Sequence, residues 1–171
     1  PELEQALKKS KPQPKLKIIL KKIIANVILN NGELAYLFAD IVPFMNYDDF
    51  ELRKLCLHYV VASAPIAGSM ASEAIPFLQR FIKEESSPAL RALAIKTASQ
   101  VSLKPYTDLS FQVVPLALRD NDLTVKRAAC FAVLRLYQYD SKRTIKSGLI
   151  DELNDFLYSL SPTLVANALA A

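Results

Sequence analysis

Apolar residues recur along the chain in a helical pattern that repeats at intervals of 38, 35 and 39 residues. The pattern is clearest in four segments that share an apolar third residue and further apolar or small residues three and four positions later, with Asn167 as the exception. The segments are FELRKLCL, PALRALAI, LTVKRAAC and PTLVANAL, which begin at Phe50, Pro88, Leu123 and Pro162. Apolar residues at i, i+3 and i+4 define one face of a helix, so each segment predicts an amphipathic helix of a repeat protein.

Two further positions distinguish these segments. A small residue recurs on the apolar face, at Cys56, Ala94, Ala129 and Ala168, which favours close approach of a neighbouring helix. A basic residue follows the first apolar position in three of the four segments, at Arg53, Arg91 and Lys126, while the fourth has Val165.

A second helix is predicted before each of the first three segments. The stretches LFADIVPFM, SEAIPFLQRF and FQVVPLAL each contain one proline, at Pro43, Pro76 and Pro115. Since proline inside a helix removes one backbone hydrogen bond, the same kink is predicted in all three.

The turns between the paired helices are short and polar, with the sequences NYDD, KEESS and RDND. Aspartate and serine there can accept hydrogen bonds from the free N–H groups of the next helix. We therefore interpret the acidic pairs Asp48–Asp49 and Glu84–Glu85 as helix caps rather than as acid–base catalysts.

These units predict an all-α fold, a right-handed α-solenoid of HEAT/armadillo-like helical repeats. A helix pair cannot bury its apolar stripe alone, but stacked pairs share a continuous core. We expect a basic N-terminal extension over residues 1–14, kept out of regular helix near residues 8–14 by Pro12 and Pro14, and repeats over residues 15–171. Because the chain begins without Met and ends within a helical pattern, we expect it to be the start of a longer trunk.

Composition fits a folded protein without a transmembrane helix, since 51% of the residues are hydrophobic but no run of 18 is uninterrupted. No phosphate-binding glycine loop, nucleophile elbow or metal-ligand cluster is present, so no catalytic, cofactor or metal site is predicted. The single histidine, His58, is interpreted as an ordinary residue of a repeat helix, and Cys56 and Cys130 as buried free thiols.

The basic character of the chain is confined to its start. Seven lysines and no acidic residue lie between Gln5 and Gly32, namely Lys8, Lys9, Lys11, Lys15, Lys17, Lys21 and Lys22. One interpretation is a solvated terminal face; the functional one is contact with an anionic, phosphoinositide-containing membrane, to which each lysine contributes about 1 kcal/mol. Nucleic acid is not expected as a partner, because neither an arginine-rich run nor interleaved aromatic residues accompany the lysines.

Several strings together resemble the start of the β-type large subunits (adaptins) of clathrin-adaptor complexes. They are KKIIANVILNNGELAYLF, SSPALRALAIKTASQV, DNDLTVKRAACFAVLRLY and LSPTLVANALAA, which extend the resemblance from about Lys15 to Ala171. The turn NNGE and the linker SLKPYTD depart from the usual form of the family. The resemblance implies a non-catalytic scaffold of vesicle-mediated transport, most of all endocytosis, in a heterotetramer with a second large, a medium and a small chain.

The resemblance also implies clathrin binding through regions absent from this sequence, and phosphoinositide contact through lysines within Lys8–Lys22, of which Lys21 and Lys22 align best. It implies a cytoplasmic protein, peripheral on the cytosolic face of the plasma membrane or of coated Golgi or endosomal membranes. The alternative is a HEAT-repeat scaffold of another class, such as a coatomer-like protein, a transport receptor or a regulatory platform.

Overall fold

The computed structural model describes residues 2–9, 13–30, 32–84 and 87–159, and within these ranges the regular structure is helical throughout. The helices are α1 (Glu2–Lys9), α2 (Gln13–Leu29), α3 (Phe38–Ile41), α4 (Phe50–Ala67), α5 (Ile75–Glu84), α6 (Pro88–Gln100), α7 (Lys104–Leu118), α8 (Leu123–Tyr139), α9 (Ser141–Lys146) and α10 (Leu149–Ser159). Short 3₁₀ segments cover Ala35–Leu37, Val42–Asn46 and Gly68–Ala74. The predicted fourth segment, which begins at Pro162, lies outside the described residues.

The helices form two layers around one core. In one layer α2 packs beside α4, α4 beside α6, and α6 beside α8; in the other α5 packs beside α7, and α7 beside α10. The two layers contact each other, because α5 packs on α6, and α7 packs on both α6 and α8. This confirms the all-α solenoid of paired helices.

The first-layer helices bury equivalent positions. Leu52, Leu90 and Val125, the third residues of the predicted segments, are each at most 1% exposed, and Leu16 of α2 is 2% exposed. The next buried positions of α2, at Leu20, Ile23 and Val27, match Cys56, Tyr59 and Ser63 of α4 with the same offset of 36 residues. α2 is therefore the second helix of one further repeat, which precedes the four segments found in the sequence.

Side-chain caps begin the first-layer helices, as predicted from the polar turns. Asp49 accepts a hydrogen bond from Leu52 N at 2.9 Å, and Asp122 accepts one from Thr124 N at 2.7 Å. At α6 the cap is Ser87, which accepts from Leu90 N at 3.4 Å. The capping interpretation of Glu84 was wrong, because Glu84 is the last residue of α5; Glu85 lies outside the described residues.

The prediction of one shared proline kink was wrong for two of the three helices. Pro43 and Pro76 are the second residues of the 3₁₀ segment Val42–Asn46 and of α5, a position that tolerates proline. Pro115 does lie inside α7, and Pro65, which the pattern did not single out, lies inside α4.

The expectation that residues near 8–14 avoid regular helix was also wrong where it can be tested. Lys8 and Lys9 end α1, and Gln13 and Pro14 begin α2, with Pro14 at the second position of the helix, which tolerates proline. α1 packs on α2, and Leu7 is only 3% exposed.

One stretch, Phe50–Glu84, is long and apolar enough to cross a bilayer by length and composition alone. It is not one straight helix, because Gly68 has a φ of 63° between α4 and the following 3₁₀ segment. Half of its most apolar window is buried within the protein. We interpret it as core of the solenoid.

Candidate interaction surface

Lys17 is held within the solenoid by the turn before α4. Its Nζ lies 2.7 Å from Asp49 Oδ2 and 3.3 Å from Glu51 Oε2, and its side chain is 21% exposed. The hydrogen bond to Asp49 raises the pKa of Lys17, and the same bond lowers the pKa of Asp49. Lys17 therefore joins two neighbouring repeats.

Lys21 shares the same acidic partner. Its Nζ donates to Glu51 Oε1 at 3.0 Å, and the contacts of Lys21 and Lys17 lower the pKa of Glu51. The charge of Lys21 is thus partly balanced, although its side chain remains 58% exposed.

Lys15 and Lys22 form the unpaired part of the basic segment. Both are exposed, and neither makes an ion pair with any residue in the part of the chain that the structure describes. They lie two helical turns apart on the same face of α2, with Ile18, 57% exposed, between them. Lys15, Ile18 and Lys22 together form what we name the α2 stripe.

The structure does not describe the side chains of the remaining candidate lysines. Lys8 and Lys9 are the last two residues of α1, and Lys11 lies outside the described residues. Of the seven candidate lysines, Lys17 and Lys21 thus make ion pairs, and Lys15 and Lys22 make none with the described residues. The side chains of the other three are not described.

The basic residue that follows the first buried position of each first-layer helix reaches the next repeat. The Lys17–Asp49 pair is the first such contact, and the second is Arg53, which lies 5.4 Å from the Phe81 ring centroid. Arg91 donates two hydrogen bonds to Asp120, and Lys126 lies 5.6 Å from the Phe156 ring centroid. The sequence revealed the basic residues, but their partners, 28 to 32 positions further along, were missed.

Two buried tyrosines fasten the irregular segments to the helices. Tyr59 Oη donates to Leu34 O at 2.7 Å, and Tyr106 Oη donates to Ala71 O at 2.6 Å. Both side chains are fully buried, and burial raises the pKa of each phenol. These bonds satisfy carbonyl groups outside the regular helices.

The two thiols are free, and burial raises the pKa of Cys56 to about 12 and that of Cys130 to about 11. Thiols with raised pKa values are poor nucleophiles. Cys130 is only partly buried, so the expectation of a buried thiol is confirmed for Cys56 alone.

The first-layer helices are strongly basic. Within α2, α4, α6 and α8 there are eleven lysines and arginines, and Glu51 is the single acidic residue. The acidic residues of the chain lie chiefly in the turns and the second layer. This separation of charge makes the outer face of the first layer a candidate surface for anionic partners.

Residues 1–171 match the protein family described as Adaptin N terminal region. The chain is 33% identical over 152 residues to the AP-2 complex subunit beta of Schizosaccharomyces pombe, covering 89% of this chain and 22% of that protein. It is 31% identical over 172 residues to the AP-1 complex subunit beta-1 of Mus musculus, covering 99% of this chain and 18% of that protein. It is also 31% identical over 156 residues to the AP-2 complex subunit beta of Saccharomyces cerevisiae, covering 88% of this chain and 22% of that protein. The chain spans about a fifth of the length of these relatives.

Proposed function

This chain belongs to the adaptin N-terminal region family, and from that premise we propose that it is a non-catalytic scaffold of a clathrin-adaptor complex in vesicle-mediated transport. The observation that supports a scaffold most directly is the unbroken series of inter-repeat contacts from Lys17 to Lys126. Such contacts hold successive helix pairs in one register, as an extended binding platform requires.

We propose a second large, a medium and a small adaptor chain as partners, and endocytosis as the transport step. Two of the relatives above carry the name of an AP-2 subunit and one that of an AP-1 subunit. Reconstitution tests this: the full-length parent chain, co-expressed with the other three chains of one complex type, should elute with them as a single species. Elution of the parent chain alone with every complex type tried would refute the proposal.

We further propose that the α2 stripe contacts an anionic membrane on its cytosolic face. Lys15 and Lys22 have no internal partner among the described residues, and Ile18 places an apolar side chain between them. Two unpaired lysines contribute about 2 kcal/mol to binding at an anionic surface, which suits reversible attachment. Lys17 and Lys21 contribute less, because Asp49 and Glu51 already balance their charges.

Sedimentation with vesicles that contain a phosphoinositide tests the membrane contact. The double variant Lys15→Ala/Lys22→Ala should lower the vesicle partition coefficient at low salt about 30-fold. The double variant Lys142→Ala/Lys146→Ala removes two exposed lysines from α9 and is the matched control. Equal loss of binding in both variants would mean that net charge alone, rather than the α2 stripe, governs attachment.

A further inference from the structure

One repeat position faces solvent on all four first-layer helices. The register of the buried residues makes Lys22 of α2, His58 of α4, Lys96 of α6 and Phe131 of α8 equivalent, with offsets of 36, 38 and 35 residues. All four are exposed. Lys96 is exposed although α4 and α8 pack on either side of its helix, so this position faces outward and not towards a neighbouring helix.

The central part of this row is a compact group of basic side chains. Lys54 lies one helical turn before His58 on α4, and Lys96 lies across on α6. The packing of α6 on α4 brings Lys96 onto the helix beside His58. Partial burial and the ammonium charges of Lys54 and Lys96 all lower the pKa of His58. Among the described residues, neither Lys54 nor Lys96 makes an ion pair.

Acidic side chains border this group on one side. Towards the start of α4 and α8 lie the carboxylates of Asp48, Glu51 and Asp122, of which Asp48 is fully exposed. One turn beyond the row, on the other side, Val61 and Ser99 are uncharged and Arg135 of α8 is basic. A broad anionic surface laid over the row would also meet these carboxylates, whereas a single extended chain would not.

The spacing of the row matches that of a polypeptide in the polyproline II conformation. Packed helices lie about 8–10 Å apart, and three residues of polyproline II chain cover about 9 Å and complete one turn. A chain of this form that crosses the helices therefore presents every third side chain to one exposed position. We propose that the row His58–Lys96–Phe131, with Lys54 beside it, binds an acidic segment of another protein in the polyproline II conformation.

The segment would carry acidic side chains three residues apart, over His58 and Lys96, and an apolar side chain three residues further, against Phe131. Phe131 is 56% exposed, and burying its ring against an apolar side chain adds to the ion pairs. The proposed site lies on α4, α6 and α8, whereas the proposed membrane contact lies on α2, where Lys22 occupies the equivalent position.

A synthetic peptide tests the site directly. It has aspartate at its first and fourth positions, leucine at its seventh, and serine and glycine elsewhere, with a fluorescent label at its amino end. Its anisotropy should rise on titration with the chain, and Lys54→Ala/Lys96→Ala should weaken binding about fivefold or more. The variant Lys142→Ala/Lys146→Ala, which removes two exposed lysines from α9, should bind the peptide as the unaltered chain does, within about twofold.

His58 is the only histidine of the chain and thus reports on the site by itself. Bound carboxylates favour the imidazolium form, so the peptide should raise the pKa of His58 measured by NMR. A peptide with its two aspartates adjacent is the spacing control and should raise the pKa of His58 less. Three results would overturn the proposal: unchanged affinity in the Lys54/Lys96 variant, equal effects of both peptides, or a His58 response to anionic vesicles without one to the peptide.

Discussion

The guanidinium of Arg91 holds the carboxylate of Asp120 through two parallel hydrogen bonds, Nε to Oδ2 and Nη2 to Oδ1, each 3.0 Å long. The two side chains are 16% and 17% exposed, and the pair fastens α6 to the turn before α8. Asp120 Oδ1 also accepts from Asp122 N at 2.9 Å, which orders the turn whose last residue caps α8. One arginine thus supports both the stacking of two repeats and the start of the next helix.

Replacing Arg91 with alanine should lower the free energy of unfolding by about 1–3 kcal/mol, because it leaves a partly buried carboxylate without its charged donor. Urea unfolding followed by circular dichroism measures the change. Arg119→Ala is the matched control, since Arg119 is 71% exposed and its pair with Glu152 should contribute at most about 1 kcal/mol. Equal losses in the two variants would contradict the special role of Arg91.

The same pair predicts a pH dependence of stability. Burial favours the neutral form of Asp120, but the hydrogen bonds from Arg91 and from Asp122 N outweigh it, so its pKa is lowered. A carboxyl whose pKa is lower in the folded chain stabilises it above the unfolded pKa of about 4, and this stabilisation is lost as pH falls through the folded value. The urea concentration at the unfolding midpoint should therefore decrease as the pH is lowered below about 4.

The variant Arg91→Ala distinguishes the contribution of Asp120 to the acid-induced loss of stability from that of the other carboxyls. Asp49 and Asp108 also have lowered pKa values, through hydrogen bonds from Lys17 and Lys104 respectively, and they remain in the variant. The acid-induced loss of stability should be smaller in Arg91→Ala than in the unaltered chain. An identical loss in both would show that Asp120 does not carry the effect.

Tyr106→Phe should destabilise the chain by about 1–2 kcal/mol, since it removes the buried hydrogen bond to the carbonyl of Ala71 while the aromatic packing is kept. Thermal unfolding measures the change. Tyr137→Phe removes a hydroxyl from a side chain that is 45% exposed and should change stability by less than about 0.5 kcal/mol. A Tyr106→Phe variant as stable as the control would mean that another group satisfies Ala71.

Gly32→Ala should cost more stability than Gly148→Ala. Both glycines have positive φ values, 83° and 76°, so a side chain strains each by about 1–2 kcal/mol. Only at Gly32 does an added Cβ meet a neighbour, the Cδ1 atom of Ile66; nothing lies within 4 Å at Gly148. The difference between the two variants measures this contact, and a larger loss at Gly148 would contradict it.

The fold could be predicted from the sequence because the same apolar position recurs in each repeat. The recurrence of Leu52, Leu90 and Val125 predicted three helices that the structure confirms. The range 15–171 predicted for the repeats includes α2, although the equivalence of Leu16 with Leu52 became visible only in the structure. Proline placement was misjudged because a pattern shows that a proline is near a helix, but not whether it begins the helix.

The candidate surface could be predicted only in outline. The sequence shows that Lys15, Lys17, Lys21 and Lys22 share one helix, but their roles depend on its rotation about its own axis. Asp49 and Glu51, which balance Lys17 and Lys21, lie about 30 residues further along and approach only when α4 packs on α2. The same holds for Lys96, whose proximity to His58 requires the packing of α6 on α4.

Affinity purification of the full-length parent protein from its own cells, with mass spectrometry of what co-purifies, tests the central claim most directly. The scaffold role predicts recovery of one second large, one medium and one small adaptor chain, and the type of the large chain would identify the membrane. Recovery of a different stable partner set without these chains would contradict the adaptor role and leave only the shared solenoid fold.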